Sequence, residues 1–387
     1  MIERTIKEKI ISLAAQFPVV SLTGVRQSGK STLLKNCFPD YTYVSLEDID
    51  IQKFAIDDPR GFLLNFGRHL IIDEAQLAPA LFSYIKTDID NVNEAGMYLL
   101  SGSQNFLLME NVSQSLAGRT AVLDMSPLSI EELKRNGTLP VTLNDMLFTG
   151  GYPRIYDKLI APADYFPSYI RTYVERDVRQ LRNIGNRQQF MKFIRLCAGR
   201  VGQLFNITSF ANEADLSLPT LRAWISVLET CGVVFLLQPY HKNFNKRIVK
   251  SPKLYFCDTG LLSSLLGIRD VVQVETHYMR GEIFENLIVS ELRKKYTNRG
   301  IEPYIYFWRD SNGNEVDIIE EDNGKLNAYE IKSSATLRHD FFKGIDNFAK
   351  VAGDLINERA VVYGGDDDFA HTAGSFISWR NWGCRLR

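Results

Sequence analysis

The sequence predicts an α/β protein. It opens with a phosphate-loop parallel sheet covered by helices on both faces. A helical module and a mixed α/β unit follow. Three observations carry this expectation. Residues 1 to about 125 alternate short apolar runs with helix-compatible ones, the pattern of a sheet wound with crossover helices. The first apolar run enters Gly24-Val25-Arg26-Gln27-Ser28-Gly29-Lys30-Ser31, a G-x-x-x-x-G-K-S loop with a strand before it and a helix after it. The last third carries two strand patterns joined by a turn at Asp322-Asn323-Gly324.

The strands are expected at 19–23, 43–46, 69–73, 97–101 and 121–125. Val19-Val20-Ser21-Leu22-Thr23 leads into the loop, and Thr32-Leu33-Leu34-Lys35 continues it as a helix. Glycines at 24 and 29 let successive backbone N–H groups turn toward one anion, with the helix N-terminus behind them. Residues 24–32 are therefore the expected ATP- or ADP-binding segment. Lys30 is placed for the β- and γ-phosphates and Ser31 for Mg²⁺. The strand at 69–73 ends in Asp73-Glu74. Asp73 is the expected second Mg²⁺ element. Glu74 is the expected group that orients or deprotonates the attacking water.

The strand at 97–101 ends in Ser101-Gly102-Ser103. In this respect the chain resembles AAA+ and related signal-transduction ATPases, whose equivalent strand ends in a polar γ-phosphate sensor. That resemblance implies the sensor role for Ser101 or Ser103, together with Gln104; a plain serine-rich turn is the other reading. Arg119 also reads two ways. It is an arginine finger, in its own subunit or in a neighbour's within a homo-oligomer, or it is a structural ion pair.

Asn136-Gly137 and Gly150-Gly151-Tyr152-Pro153 punctuate the exit from the first unit. Boundaries follow at 1–160, 161–265 and 266–387. Residues 163–200, including Tyr173-Val174-Glu175-Arg176-Asp177-Val178, read as a polar-rich helical lid or connector. Residues 203–256 read as a winged helix. One helix starts at Ile207; Ser217 is the N-cap of the next and Pro219 lies in its first turn. Leu221, Trp224, Ile225 and Leu228 fall on one helical face, and a strand follows at 233–237. The wing carries His241, Lys242, Lys246, Arg247, Lys250 and Lys253. Such cations contact DNA phosphates, or the module packs on its neighbour or binds protein.

In the C-terminal unit, Glu315-Val316-Asp317 and Tyr329-Glu330-Ile331-Lys332 are partner strands. Alternation puts Glu330 and Lys332 on one face, with Asp317 able to meet them. Glu285, on the upstream helix at 281–288, lies toward the apolar side, three and seven residues before Ile288 and Leu292. Metal-dependent phosphodiester cleavage uses such a set: Glu285, Asp317 and Glu330 hold Mg²⁺ beside Lys332. A structural hairpin with ion pairs is the alternative. The cluster resembles the PD-(D/E)-x-K nuclease superfamily, with Val316 in place of its proline.

The length of 387 residues exceeds one ordinary core. With 45 basic and 46 acidic residues, whole-chain charge argues nothing about nucleic acid, and only local patches can. Cys37, Cys197, Cys231, Cys257 and Cys384 are scattered without C-x-x-C, which fits a reducing cytosol and offers no zinc site. No apolar run approaches the ~18 residues of a membrane span, and the N-terminus lacks a signal-peptide core. A cytoplasmic protein without a membrane partner is expected.

The motif order over nearly the whole chain resembles prokaryotic P-loop ATPases with an AAA-type domain followed by DUF4143. The residues carrying this are 24–31, 70–76, 100–103, 116–119, 150–153, 253–260, 281–285, 309–310, 315–317 and 330–332. The resemblance implies an ATP-binding AAA+-like module, a winged helix and a nuclease-like C-terminal domain. Asp258-Thr259-Gly260 reads as structural. Two rivals stand beside an ATPase with a DNA-directed C-terminal half. One is a small-molecule kinase. The other is a slow nucleotide switch whose C-terminal domain binds DNA or protein without catalysis.

Overall fold

A computed structural model describes residues 2–102, 108, 112, 115–174, 187–240 and 250–384. Five parallel strands form the first sheet: β1 (Val19–Gly24), β2 (Thr42–Ser45), β3 (Leu70–Asp73), β4 (Tyr98–Ser101) and β5 (Thr120–Met125). Their spatial order is β2-β3-β4-β1-β5. Every residue of β1, β3 and β4 is buried, which explains why these strands read as unbroken apolar runs rather than alternating ones. The register aligns Ser45, Asp73 and Ser101 across three strands and Gly24 with Met125 across β1 and β5. One edge of the sheet therefore collects every carboxyl end, where open α/β sheets bind ligands.

Helices α1 (Ile6–Ala14), α2 (Lys30–Cys37), α3 (Ile49–Asp57), α4 (Pro59–Phe66) and α5 (Leu81–Val92) complete this unit. Two cores lie against the sheet. One is built on Phe62, Phe82 and Ile85, the other on Ile6, Ile10 and Leu34. Past β5, capping boxes at Ser129–Glu132 and Thr142–Asp145 start the helices Ile130–Arg135 and Leu143–Thr149.

The stretch expected as a polar-rich helical lid or connector is helical where described, and its apolar side chains are buried. Its helices Pro162–Tyr169 and Arg187–Ala198 bury Tyr165, Phe166 and Tyr169, and Phe190, Phe193 and Ile194. These side chains join one continuous core with Trp224, Tyr255, Phe284 and Tyr329. Aromatic residues at helical spacing form an apolar stripe, and here that stripe is covered. Glu175, Arg176, Asp177 and Val178 lie outside the described residues.

Helices Ile207–Ala214 and Leu218–Thr230 follow, with Ser217 capping the second through Thr220 N at 3.2 Å. Strands β6 (Val234–Leu237) and β7 (Lys253–Phe256) then pair antiparallel. The C-terminal sheet has order β12-β13-β11-β10-β9-β8, from β8 (Ile305–Arg309), β9 (Glu315–Asp322), β10 (Lys325–Lys332), β11 (Ile356–Tyr363), β12 (Phe369–His371) and β13 (Gly374–Ser378). It is mixed: β10–β11 and β11–β13 are parallel and the other pairs antiparallel. Asn323 and Gly324 turn the β9–β10 hairpin at φ +48° and +78°, as a two-residue hairpin turn requires. Tyr329 and Ile331 pack in the core of the long helix Arg280–Thr297, whereas Ala328 packs in that of the helix Lys343–Ala352. Among the described residues, no helix is long and apolar enough to cross a membrane.

Candidate functional site

The phosphate loop leaves β1 through Gly24, at φ +135°. A Cβ there would lie 2.3 Å from the carbonyl oxygen of Met125 on the neighbouring strand, so only glycine fits. Gly29 is the left-handed N-cap of α2, at φ +95°. Lys30 is buried, and its Nζ donates back to the carbonyls of Gly24 and Val25 at 2.9 and 3.0 Å. Burial lowers the Lys30 pKa, while Glu74, Asp73 and Asp124 pull it back up.

Asp73 is the best-held side chain of the site. Ser31 Oγ and Tyr43 OH each donate to its Oδ2 at 2.7 Å, and Ser101 Oγ donates to Oδ1 at 2.5 Å. Three hydroxyls thus fix one carboxylate at the strand ends. Tyr43 was not singled out from the sequence. Its position on β2, one strand over from Asp73, exists only once the sheet is assembled. Ser101 is completely buried, and in this arrangement it orients Asp73. Ser103 and Gln104, the other sensor candidates, lie outside the described residues. Glu74 sits in a left-handed conformation at φ +53°, with Gln76 Nε2 donating to its Oε2 at 2.5 Å.

A cavity of about 490 Å³ opens over the loop, with Arg26, Gln27, Ser28, Gly29, Lys30, Ser31, Thr32 and Glu74 on one side. The far wall is apolar at Ile2, Met125, Leu128 and Pro153, and charged at Arg154, Asp157 and Lys158. Arg154 and Lys158 were missed from the sequence; the available signal was two cations four apart, immediately after the Gly150–Pro153 punctuation. Tyr165 OH supports the loop by donating to Gln27 Oε1 at 2.8 Å. Ser28 Oγ is buried without a hydrogen-bond partner among the described residues, which leaves a hydroxyl to serve an anion. Ser31 and Asp73 are adjacent oxygen donors of the kind Mg²⁺ takes beside phosphate. The residues present therefore fit ATP and Mg²⁺.

Arg119 lies elsewhere. It precedes β5, where Val19 N binds its carbonyl, and its Nε pairs with Asp90 Oδ1 at 2.6 Å. That is the amino end of the parallel strands. The length of β5, about 17 Å at roughly 3.3 Å per residue, separates it from the loop. A finger role for Arg119 inside its own subunit is corrected accordingly.

The C-terminal carboxylates do converge, but around lysines. Lys253 Nζ lies 3.0 Å from Glu285 Oε1, 2.5 Å from Glu315 Oε1 and 4.0 Å from Asp317 Oδ1. Tyr255 OH donates to Glu285 Oε1 at 2.5 Å. On the other side Lys332 Nζ lies 2.8 Å from Glu330 Oε2 and 3.9 Å from Asp317 Oδ2. Arg309 pairs with Glu315 at 3.2 Å. The β9–β10 ladder ends at the Ile318–Tyr329 pair, and beyond it Asp317 Oδ2 accepts from Ile331 N at 2.8 Å. Among the described residues no group of three or more His, Cys, Asp or Glu side chains is arranged to hold a metal ion. Lys253 corrects a second expectation. Expected as a wing cation for phosphates, it is instead buried, because β7 turns it inward onto the carboxylates. His241, Lys242, Lys246 and Arg247 lie outside the described residues, and Lys250 is exposed. Asp258 is structural as expected, accepting from Gly151 N at 2.6 Å and Leu261 N at 3.0 Å.

The loop, the fixed Asp73 and the parallel sheet define a phosphate-loop nucleotide-binding protein. Comparison with known proteins agrees. Residues 16–134 match the family described as AAA domain, 140–271 a domain of unknown function (DUF8612), and 280–382 a domain of unknown function (DUF4143). The uncharacterized protein Rv2008c of Mycobacterium tuberculosis is 30% identical over 324 residues, spanning 82% of this chain and 71% of that protein. The uncharacterized protein MJ1544 of Methanocaldococcus jannaschii is 22% identical over 306 residues, 70% of this chain and 66% of that protein. Among solved structures, the Walker-type ATPase PABY2304 of Pyrococcus abyssi is similar at TM-score 0.47 and 15% identity, over 68% of this chain and 96% of that one. The chain belongs to the family of Rv2008c, with an AAA domain followed by DUF4143. The AAA-domain match and the loop together support nucleotide binding and hydrolysis.

Proposed function

We propose that this protein is an ATP-hydrolysing AAA-type switch, with units at 1–160, 161–265 and 266–387. Its C-terminal unit binds a partner without cutting it. The observation that carries the nucleotide reading is the Asp73 carboxylate, held by Ser31, Tyr43 and Ser101 beside Lys30. On binding, Lys30 exchanges the carbonyls of Gly24 and Val25 for the β- and γ-phosphates. The N–H groups of residues 24–32 wrap the phosphates. Ser31 and Asp73 would hold Mg²⁺, which neutralises charge across the phosphate oxygens. Glu74 leaves Gln76 to orient the attacking water, and it accepts that water's proton as the oxygen bonds to the γ-phosphorus and the bond from that phosphorus to the β-phosphate oxygen breaks, releasing ADP and inorganic phosphate.

The non-catalytic reading of the C-terminal unit rests on Lys253, which occupies the place among Glu285, Glu315 and Asp317 that a divalent ion would need. DNA is the partner to test first. Lys250 is exposed, and Arg187, Lys192 and Arg195 line a surface cavity of about 560 Å³. The convergence of Asp317, Glu330 and Lys332 favours the second reading, a nuclease. ATP turnover with and without DNA, run alongside Mg²⁺-dependent plasmid nicking, decides among them. Turnover in water alone supports the ATPase, whereas ATP consumed only with a small-molecule acceptor supports a kinase. Nicking that is lost in Asp317→Ala overturns the non-catalytic reading.

A further inference from the structure

Arg4 lies just ahead of α1 and is buried at 5% exposure. Its guanidinium donates through Nη1 to the carbonyl of Ser28 at 3.0 Å, through Nη2 to the carbonyl of Ser126 at 2.5 Å, and through Nε to Glu132 Oε1 at 3.1 Å. A loop that turns its N–H groups toward an anion turns carbonyls away from it, and a buried carbonyl needs a donor. Arg4 supplies that donor to Ser28 and also lines the cavity over the loop. Glu132 is fully buried and keeps the guanidinium in place. It also accepts from Thr5 N at 2.8 Å and Ser129 N at 3.0 Å.

The turn gripped by Arg4 and Glu132 is gripped from its other side by the C-terminal unit. Ile130 N donates to Glu291 Oε2 at 2.7 Å, and Lys294 Nζ donates to the carbonyl of Leu128 at 3.0 Å and to Glu291 Oε1 at 2.8 Å. Glu291 and Lys294 are buried residues of the helix Arg280–Thr297. One turn thus joins the phosphate loop, the N-terminal arginine and the long helix that carries Glu285.

We propose that Arg4 is a positioning residue of the phosphate loop and that the hydrogen bonds Arg4–Glu132, Glu132–Ser129 and, one residue on, Ile130–Glu291 couple the loop's geometry to the helix Arg280–Thr297. Nucleotide affinity then depends on the state of the C-terminal unit, and by linkage nucleotide changes that unit in return. The inference rests on the nucleotide-binding reading. It extends that reading to regulation. Lysine cannot replace the arginine, because one ammonium does not span three acceptors in a planar fork.

The test is calorimetric titration of the full chain with ADP. The proteins are wild type, Arg4→Met, Arg4→Lys, Glu291→Gln and the Arg4→Met/Glu291→Gln double variant, each melted without ADP to confirm folding. Arg4→Met is expected to weaken ADP about tenfold or more, the scale of a lost charge-assisted hydrogen bond. Arg4→Lys restores only part of this, and Glu291→Gln weakens ADP several-fold from outside the cavity. The double variant loses less than the product of the two single losses, as coupled sites do. Should Arg4→Met fail to fold, Arg4→Lys and Glu291→Gln carry the same comparison. A purely structural Arg4 lowers the melting temperature and leaves ADP affinity of the folded protein unchanged, which overturns the proposal. So does a Glu291→Gln protein with wild-type affinity, or losses that simply multiply. No ADP binding by the wild type sinks the nucleotide reading itself, a result separate from these.

Discussion

Lys253 and Glu285 form a buried ion pair at 3.0 Å, joining the strand β7 to the long helix of the C-terminal unit. Burial alone pulls the Lys253 pKa down, but Glu285, Tyr255, Asp317 and Glu315 outweigh it and hold the ammonium charged, well above the ordinary lysine range. Lys253→Met is expected to destabilise the protein by about 3 kcal/mol, the cost of leaving a buried carboxylate without its partner. Lys253→Met/Glu285→Gln recovers part of that loss. Denaturant unfolding of the three proteins reads both effects, and an unchanged midpoint in Lys253→Met contradicts a tight pair.

Glu330 gives the cluster a pH dependence. Burial first, then Asp317, pushes its carboxyl up from 4.5 to about 8, against the pull of Lys332. A carboxyl whose folded pKa is raised stabilises the fold while protonated. Its contribution is complete below the unfolded value and is lost as pH rises through about 8. Glu330→Gln cannot ionise, so it should remove that slope and melt higher than wild type above the folded pKa. Melting temperatures from pH 5 to 9 check this; parallel curves for the two proteins count against it.

At the nucleotide site, Lys30→Ala removes the phosphate contact and is expected to weaken ATP binding severely. Glu74→Gln keeps binding and stops hydrolysis, because only the water-orienting carboxylate is lost. Filter binding and phosphate release separate these effects. Wild-type turnover by Glu74→Gln excludes Glu74 as the base.

The depressed Lys30 predicts proton linkage. Burial lowers its pKa in the empty loop, and a phosphate raises it again. On the alkaline side, where some Lys30 is neutral, ADP binding should take up protons, and affinity should fall as pH increases. Titrations in buffers of different ionisation enthalpy measure the uptake. Proton release on binding would reverse the sign and refute the assignment.

Arg119→Ala should change stability by no more than about 1 kcal/mol, the worth of a partly exposed ion pair, and leave turnover in dilute protein intact. A loss that appears only as protein concentration rises, and that Lys30→Ala subunits rescue in mixtures, would instead assign Arg119 to a neighbouring subunit's site.

Much of this molecule was legible locally. The five strands lie within a residue or so of their expected positions, and β1, β3 and β4, buried on both faces, read as apolar runs. The β9–β10 turn followed from Asn323-Gly324, and Ser217 caps its helix as its residue type dictates. Ser31 and Asp73, each expected beside Mg²⁺ from its own motif, lie within hydrogen-bond distance of each other at 2.7 Å.

Contacts between distant segments were not legible. Tyr43 reaches Asp73 only because β2 and β3 are neighbours in the sheet. Arg4 meets Ser28 and Glu132 across 24 and 128 residues. Lys253 looked like a surface cation because its own strand says nothing about Glu285, Glu315 and Asp317, which arrive from two later elements, the helix Arg280–Thr297 and β9. Sequence by itself determined the elements, the phosphate loop and the charge inventory, for these depend on neighbouring residues and their periodicity. Tertiary structure decided which charges are buried together. A buried ionic group is tolerable only beside its partners, and those partners are chosen by packing across the whole chain.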